Sequence, residues 1–277
     1  MKTKVYNLII LDESGSMSCV TKQTINGCNE TINTIKSTQQ KYAANQEHYI
    51  SIYAFQSNGN VPSRYLVKNI PASAAEHISD SDYSPWGATP LYDAVGSCLS
   101  ELKLMANKGT DVLASVTIIT DGEENSSTQY TQHKVHCMIS QLKELGWNFN
   151  FIGANIDVKA IAQALAIDED NAISFDQSEE GTQQMFSNLA KSHACYFDDV
   201  ACNEAAPMSA EEKIEVRKKH PKDSSAKNNQ KNTQTVTRSW VCVASTPALS
   251  KKPRCCRCRL AAVLQHPGFI SPYCQSS

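Results

Sequence analysis

Apolar runs and helical periodicities alternate along residues 1–204. Val5-Tyr6-Asn7-Leu8-Ile9-Ile10-Leu11 is almost continuously apolar. That is the pattern of a strand covered on both faces, so a strand is predicted over Lys4 to Leu11. After a Ser-Gly-Ser turn, Val20, Ile25, Cys28, Ile32 and Ile35 follow helical spacing and predict a helix ending near Ala44. His48 to Phe55 reads as a second strand and Arg64 to Ile70 as a third, hairpin-paired with it across the turn at Gln56 to Asn60. Pro71 to Gly87 is a polar loop. Pro90 suits the first turn of a helix whose stripe is Leu91, Val95, Cys98, Leu99, Leu102 and Met105. Val112 to Thr120 follows as a strand. Gln129 to Leu145 reads as a helix with Val135, Met138, Ile139 and Leu142 inward. The remaining elements are a strand at Trp147 to Ala154, a short helix at Val158 to Ala166, a strand at Ala172 to Phe175 and a helix at Glu179 to Lys191.

Strands alternating with helices give an α/β fold around a mostly parallel sheet. Such sheets bind ligands beyond the carboxyl ends of their strands, near a topological switch point. Asp12 closes the first strand and Asp121 follows the Val112 to Thr120 strand. The two carboxylates therefore share one mouth of the sheet.

Three segments carry candidate chemistry there: Asp12-Glu13-Ser14-Gly15-Ser16, then Gly87-Ala88-Thr89-Pro90, then Thr120-Asp121-Gly122. Each alone is ordinary turn sequence. Together, in this order and each in its structural context, they resemble the metal-ion-dependent adhesion site of the von Willebrand factor A (VWA) family over roughly residues 4 to 200. The resemblance implies a Rossmann-like three-layer sandwich: a mostly parallel central sheet with one antiparallel edge strand, and helices on both faces. It also implies a metal site of Asp12, Ser14, Ser16, Thr89 and Asp121. Ser14, Ser16 and Thr89 would touch the ion, while Asp12 and Asp121 often act through water. A hard cation such as magnesium takes oxygen ligands in octahedral array and keeps some water. Mg2+ is the expected ion, with Mn2+ as the alternative. Two carboxylates only just balance a dication, so the site stays electrophilic and welcomes an outside Asp or Glu. The implied function is metal-dependent protein interaction without catalysis. The competing reading is a VWA subunit or adaptor of an AAA-type ATPase, in a chelatase-like or stress-resistance assembly.

Charge divides the 277-residue chain. Residues 1–204 carry 13 Lys or Arg against 24 Asp or Glu, a net of −11, and residues 205–277 carry 13 against 4, a net of +9. This predicts an acidic VWA domain over 1–204 and a basic, disordered tail over 205–277, with one short helix at Ser209 to Lys219. Five of the eleven cysteines, Cys242, Cys255, Cys256, Cys258 and Cys274, crowd the tail beside His266. Cys255-Cys256-Arg257-Cys258 is not the Cys-x-x-Cys knuckle of a zinc module, and whether the tail holds zinc stays open. No nucleic-acid motif is present, so nucleic acid is not an expected partner. No apolar run reaches the roughly 18 residues of a membrane span, and the basic N-terminus lacks the length and cleavage site of a signal peptide. A cytoplasmic protein with reduced thiols is expected, Cys28 and Cys98 packing as small hydrophobes.

Enzymatic readings lack their motifs. A haloacid-dehalogenase-type phosphatase wants an acid where Ser14 stands, and no Gly-x-Ser-x-Gly elbow surrounds Ser14 or Ser16. Neither a phosphate loop nor His-Glu-x-x-His occurs. His133 and His136 share a predicted helix and are expected to face solvent. Glu123 and Glu124 are expected to rim the site and concentrate cations.

Overall fold

The computed structural model describes residues 2–57, 61–106 and 112–204. The tail, its boundary at 204/205, the helix expected at Ser209 to Lys219 and the cysteine-rich end lie outside the described residues. Six strands form one sheet: β1 (Thr3–Asp12), β2 (Gln46–Phe55), β3 (Arg64–Pro71), β4 (Val112–Thr120), β5 (Asn148–Gly153) and β6 (Ala172–Ser174). Their order is β3-β2-β1-β4-β5-β6. All neighbours are parallel except β3, the antiparallel edge strand paired to β2. The helices are α1 (Thr21–Lys41), α2 (Leu91–Ala106), α3 (Gln132–Lys143), α4 (Val158–Ala164) and α5 (Glu179–Glu204). This is the three-layer, Rossmann-like α/β architecture consistent with a VWA fold.

Two apolar cores explain the near-continuous hydrophobicity of β1. One face carries Val5, Ile9 and Leu11 against Cys28, Ile32 and Ile35 of α1 and Phe186 and Leu189 of α5. The other carries Leu8 and Ile10 against Cys98 and Leu99 of α2, Ile139 of α3 and Ala162 of α4. Cys28 and Cys98 are buried free thiols, as expected of small core residues. The contact of α1 with α5 depends on a missing side chain. A Cβ on Gly27 would lie 2.0 Å from the Phe186 ring.

α1 ends at Lys41, short of the expected end near Ala44, and two further helices depart from the expected spans. α5 runs to Glu204, beyond the expected Lys191. His193 breaks the apolar stripe in sequence, but it is buried and continues it with Phe197 and Val200. α3 begins at Gln132 rather than Gln129. Asp93 of α2 captures the preceding backbone, its carboxylate accepting from the N–H groups of Thr128 (2.8 Å), Gln129 (2.8 Å) and Tyr130 (2.7 Å). Thr131 then caps α3, its hydroxyl accepting from Lys134 N at 3.3 Å.

The long connection from β3 to α2 is tied to α1. Asn29 brackets Ile78, donating to its carbonyl and accepting from its N–H, both at 2.9 Å. The connection thereby returns to the end of the sheet where β1 and β4 finish. Strand order reverses between those two strands.

Candidate metal centre

Asp12 is the last residue of β1 and is fully buried. Its Oδ1 accepts from the Ser14 N–H at 2.7 Å and its Oδ2 from the Thr120 hydroxyl at 2.6 Å. Thr120 Oγ1 in turn accepts from Gly122 N at 3.2 Å. The turn leaving β1 and the turn leaving β4 are thus locked to one carboxylate. Burial pushes the Asp12 carboxyl up to about 6 against the opposing hydrogen bonds from Thr120 and Ser14, and the nearby Asp121 pushes it the same way.

Beyond Asp12 the hydroxyls converge. Ser14 Oγ lies 3.1 Å from Ser16 Oγ, and the Ser16 hydroxyl donates to Asp121 Oδ1 at 2.6 Å. Thr89 joins them over Gly122. A Cβ built on that glycine would lie 3.4 Å from Thr89 Oγ1 and 3.9 Å from Ser16 Oγ. Thr89 is held by Asn125, whose side-chain oxygen accepts from Thr89 N at 2.8 Å. Asn125 N donates back to Thr89 O at 3.2 Å. Burial also raises the Asp121 carboxyl above its ordinary value. Its Oδ2 accepts from the Gln177 side-chain amide, which also donates to Ser16 O at 3.0 Å. Asn155 Nδ2 holds the Gln177 oxygen at 2.5 Å.

The structure therefore brings together all five residues singled out in sequence. Ser14, Ser16 and Asp121 form a direct chain, Thr89 approaches over Gly122, and Asp12 reaches the others through the Ser14 backbone. Among the described residues no three His, Cys, Asp or Glu side chains cluster as a metal site, so charge at this mouth rests on two carboxylates and neutral hydroxyls. The donor set is all oxygen, which suits a hard cation. Its spacing fits as well: neighbouring oxygens of an octahedron with bonds of 2.0–2.1 Å lie about 2.9 Å apart. The 3.1 Å between Ser14 Oγ and Ser16 Oγ lies close to that figure, while the 2.6 Å from Ser16 Oγ to Asp121 Oδ1 is a hydrogen bond that orients the hydroxyl.

Several residues that shape the mouth are not evident in the motif. Glu13, fully buried, pairs with Arg64, Nη1 to Oε2 at 2.7 Å and Nη2 to Oε1 at 3.1 Å. Its carboxylate also accepts from Gln56 Nε2 at 2.9 Å and Ser84 N at 2.6 Å, and its backbone oxygen from Trp86 N at 2.9 Å. Arg64 Nη2 reaches Asp82 O at 2.6 Å, and the Tyr83 hydroxyl donates to Asp12 O at 2.6 Å. This network fixes the loop that carries Thr89. One signal was available: Arg64 is the sole arginine of residues 1–204. Nothing in the sequence marked Gln177.

Glu124 departs from its expected place on the rim. It folds back on its own loop, accepting from Ser126 N (2.8 Å), Ser127 N (2.6 Å) and Tyr92 N (2.9 Å). Glu123 is exposed. On α3, His136 is half-buried, with Nδ1 3.1 Å from Ala164 O, while His133 lies beside Cys137, Sγ to Nε2 at 3.9 Å.

No protein-family model matches the sequence, and no curated protein is similar to it. Solved structures do share its fold. Proximal thread matrix protein 1 from the mussel byssus, in its second crystal form, superposes with a TM-score of 0.51 at 13% identity, over 70% of this chain and 49% of that one. The pilus adhesin SpaC of Lactobacillus rhamnosus GG, in its open conformation, gives 0.52 at 16% identity, over 71% of this chain and 30% of that one. This chain thus spans about half the length of the first and under a third of the second. At such identities the likeness is one of fold.

Proposed function

We propose that this chain is a VWA-type, non-catalytic interaction protein that binds Mg2+, or Mn2+ in its place, at the mouth formed by β1 and β4. A protein partner's Asp or Glu then completes the coordination. The observation that carries this reading is the pair of Ser14 and Ser16 hydroxyls near octahedral spacing, tied to Asp121 by the Ser16 hydrogen bond, with Thr89 converging on them. Ser14, Ser16 and Thr89 would hold the ion. Asp12 and Asp121 would balance its charge, with Thr120 and Gln177 orienting their carboxylates. The ion supplies an electrophilic position for an outside carboxylate. Because the protein offers only two negative groups, that position keeps its appetite for a third.

The flanking carboxylates favour binding over turnover. Glu13 is held by Arg64, Gln56 and Ser84 N, and Glu124 by backbone N–H groups. Neither is placed to take a proton from an attacking water. A cytoplasmic location agrees with the free cysteines Cys19, Cys28, Cys98 and Cys137. Among the described residues no helix is long and apolar enough to cross a membrane.

Calorimetric titration of magnesium and manganese into the full chain tests the site. One site is expected, weakened in Ser16→Ala, at an exposed residue, and in Thr89→Ala, at a buried one, with circular dichroism checking that both variants stay folded. Equal affinity in all three proteins overturns the ligand assignment. Capture of partners in magnesium and in EDTA tests the function. An ATPase released by EDTA would make the chain a subunit or adaptor of such a machine, and phosphatase or esterase turnover lost in Asp12→Ala would overturn the non-catalytic reading.

A further inference from the structure

Three large hydrophobic side chains stand exposed among the described residues: Trp86 (63%), Leu104 (66%) and Leu145 (49%). Leu104 lies in the last turn of α2 and Leu145 precedes β5, so both lie at the end of the sheet opposite the candidate metal centre. Trp86 stands at the centre itself. Its N–H is bound to Glu13 O at 2.9 Å, and the next carbonyl, Gly87 O, accepts from Gly15 N at 3.2 Å. The indole is therefore carried on backbone pinned to the very turn that presents Ser14 and Ser16. A tryptophan held out to water on a fixed backbone is the kind of side chain that anchors interfaces.

The charge around it selects a partner. Residues 13–20, 56–57, 61–63, 79–90, 121–131, 154–157 and 175–178, described segments at this end of the sheet, contain no Lys or Arg. They expose Asp80, Asp82, Glu123, Asp157 and Asp176. Arg64, at the start of β3 beside them, is engaged by Glu13 and Asp82 O. A bound dication would draw in one carboxylate, but everything beside that carboxylate would meet a negative field. A complementary partner must place positive charge next to its acid. A cation over an indole face gains further attraction.

We infer that Trp86 is the side chain that reads the partner residue next to the metal-directed carboxylate, and that this residue is an arginine or lysine. The partner is thus a protein segment pairing Asp or Glu with an adjacent cation. This rests on the metal-dependent reading above and adds to it a specificity residue.

The test uses the full chain, Trp86→Ala and Trp86→Phe. Fluorescein-labelled Gly-Ser peptides carrying one Asp-Arg, Asp-Leu, Asp-Ser or Asn-Arg pair are titrated by anisotropy in magnesium and in EDTA. In magnesium, Asp-Arg is expected to bind about 3- to 30-fold more tightly than Asp-Ser. Trp86→Ala should abolish that gain, bringing Asp-Arg to the affinity of Asp-Ser in the same variant, and Trp86→Phe should retain part of it. Circular dichroism shows whether the variants stay folded. Asp-Leu binding as tightly as Asp-Arg overturns the cationic assignment. The assignment to Trp86 alone is overturned by an undiminished Asp-Arg gain in Trp86→Ala, whereas no peptide binding to the full chain overturns it together with the metal-dependent reading. Binding that persists in EDTA, or Asn-Arg matching Asp-Arg, instead overturns the metal-dependent reading. That failure is distinguishable, because Trp86→Ala would still weaken the complex.

Discussion

The mouth of the sheet and the strip beneath α5 are both buried and polar, yet they are built on opposite terms. At the mouth the charges are ionic and every one is gripped: Glu13 receives Arg64, Gln56 and Ser84, and Asp12 receives Ser14 and Thr120. Beneath α5 lies a neutral strip of Asn7, His48, Ser115, Thr117, Asn150 and His193, all buried. Its contacts within the strip are long, His193 Nε2 lying 3.3 Å from Thr117 Oγ1 and Asn7 Nδ2 3.5 Å from His48 Nδ1. Its shorter bonds run outward, Asn7 Nδ2 to Tyr49 O at 3.0 Å and His48 Nε2 to Gln46 Oε1 at 2.8 Å. Among the described residues, Asn7 Oδ1, Ser115 Oγ, Asn150 Nδ2 and His193 Nδ1 have no hydrogen-bond partner. Directional ionic bonds define one geometry, whereas the strip leaves α5 to be seated mainly by its apolar residues.

The largest way to break this contrast is at Glu13 and Arg64. Removing either partner leaves a charge uncompensated in a buried network, and Arg64→Ala or Glu13→Ala is expected to cost about 3–5 kcal/mol in urea unfolding. A loss under about 1 kcal/mol would show that the mouth is no better determined than the strip.

The second way is pH. Burial holds the His48 and His193 imidazoles down to about 4, and His193 adds to the effect on His48. In the unfolded chain both bind a proton near pH 6.5. Stability is therefore complete above that value. Between 6.5 and about 4 the histidine contribution falls by up to about 1.4 kcal/mol per pH unit for each, because at these groups only the unfolded chain takes up protons. Asp12, raised to about 6, takes up its proton in the folded chain and opposes part of the fall. Unfolding midpoints compared at neutral and mildly acidic pH should show this slope, and His193→Gln should flatten it. A slope unchanged by His193→Gln would move the sensitivity elsewhere.

Gly27→Ala is a smaller perturbation on the same side. Its Cβ would meet the Phe186 ring at 2.0 Å, forcing α5 away from α1. The expected cost is about 1–3 kcal/mol in thermal or urea unfolding, with cation affinity at the mouth unchanged. Smallest for the fold, and sharpest for the site, is Gln177→Ala. Its amide is half-buried and orients Asp121, so stability should change by under about 0.5 kcal/mol while magnesium affinity falls about 10-fold in calorimetry.

Sequence reading reached the strands most fully, because both faces of the sheet are covered and the apolar runs are unbroken. β4 was expected over its observed span, and Asp12 and Asp121 were placed at one mouth from strand ends alone. The reading failed where a tertiary polar contact overrode local pattern. Asp93 takes the backbone of residues 128–130 out of α3, and a buried histidine lets α5 continue where the stripe looked broken. Glu13 illustrates the same limit within the motif. Its position between Asp12 and Ser14 looks interchangeable in one dimension, and only the arrival of Arg64 from β3 gives it a role. Gln177 reaches Ser16 from 161 positions away, a pairing that no local pattern encodes.

That separation has a bearing on how the protein comes into being. Ser16 and Asp121 are 105 positions apart, and Gln177 is later still. A nascent chain displays Asp12-Glu13-Ser14-Gly15-Ser16 early in synthesis, but the oxygens cannot gather until β4 has inserted beside β1 and the segment before α5 has closed over them. Such non-local pairings cost loop-closure entropy before any contact rewards them, so they form slowly. Capture of a cation would then serve as a checkpoint of biogenesis, available to the finished domain and withheld from every truncated or half-folded one.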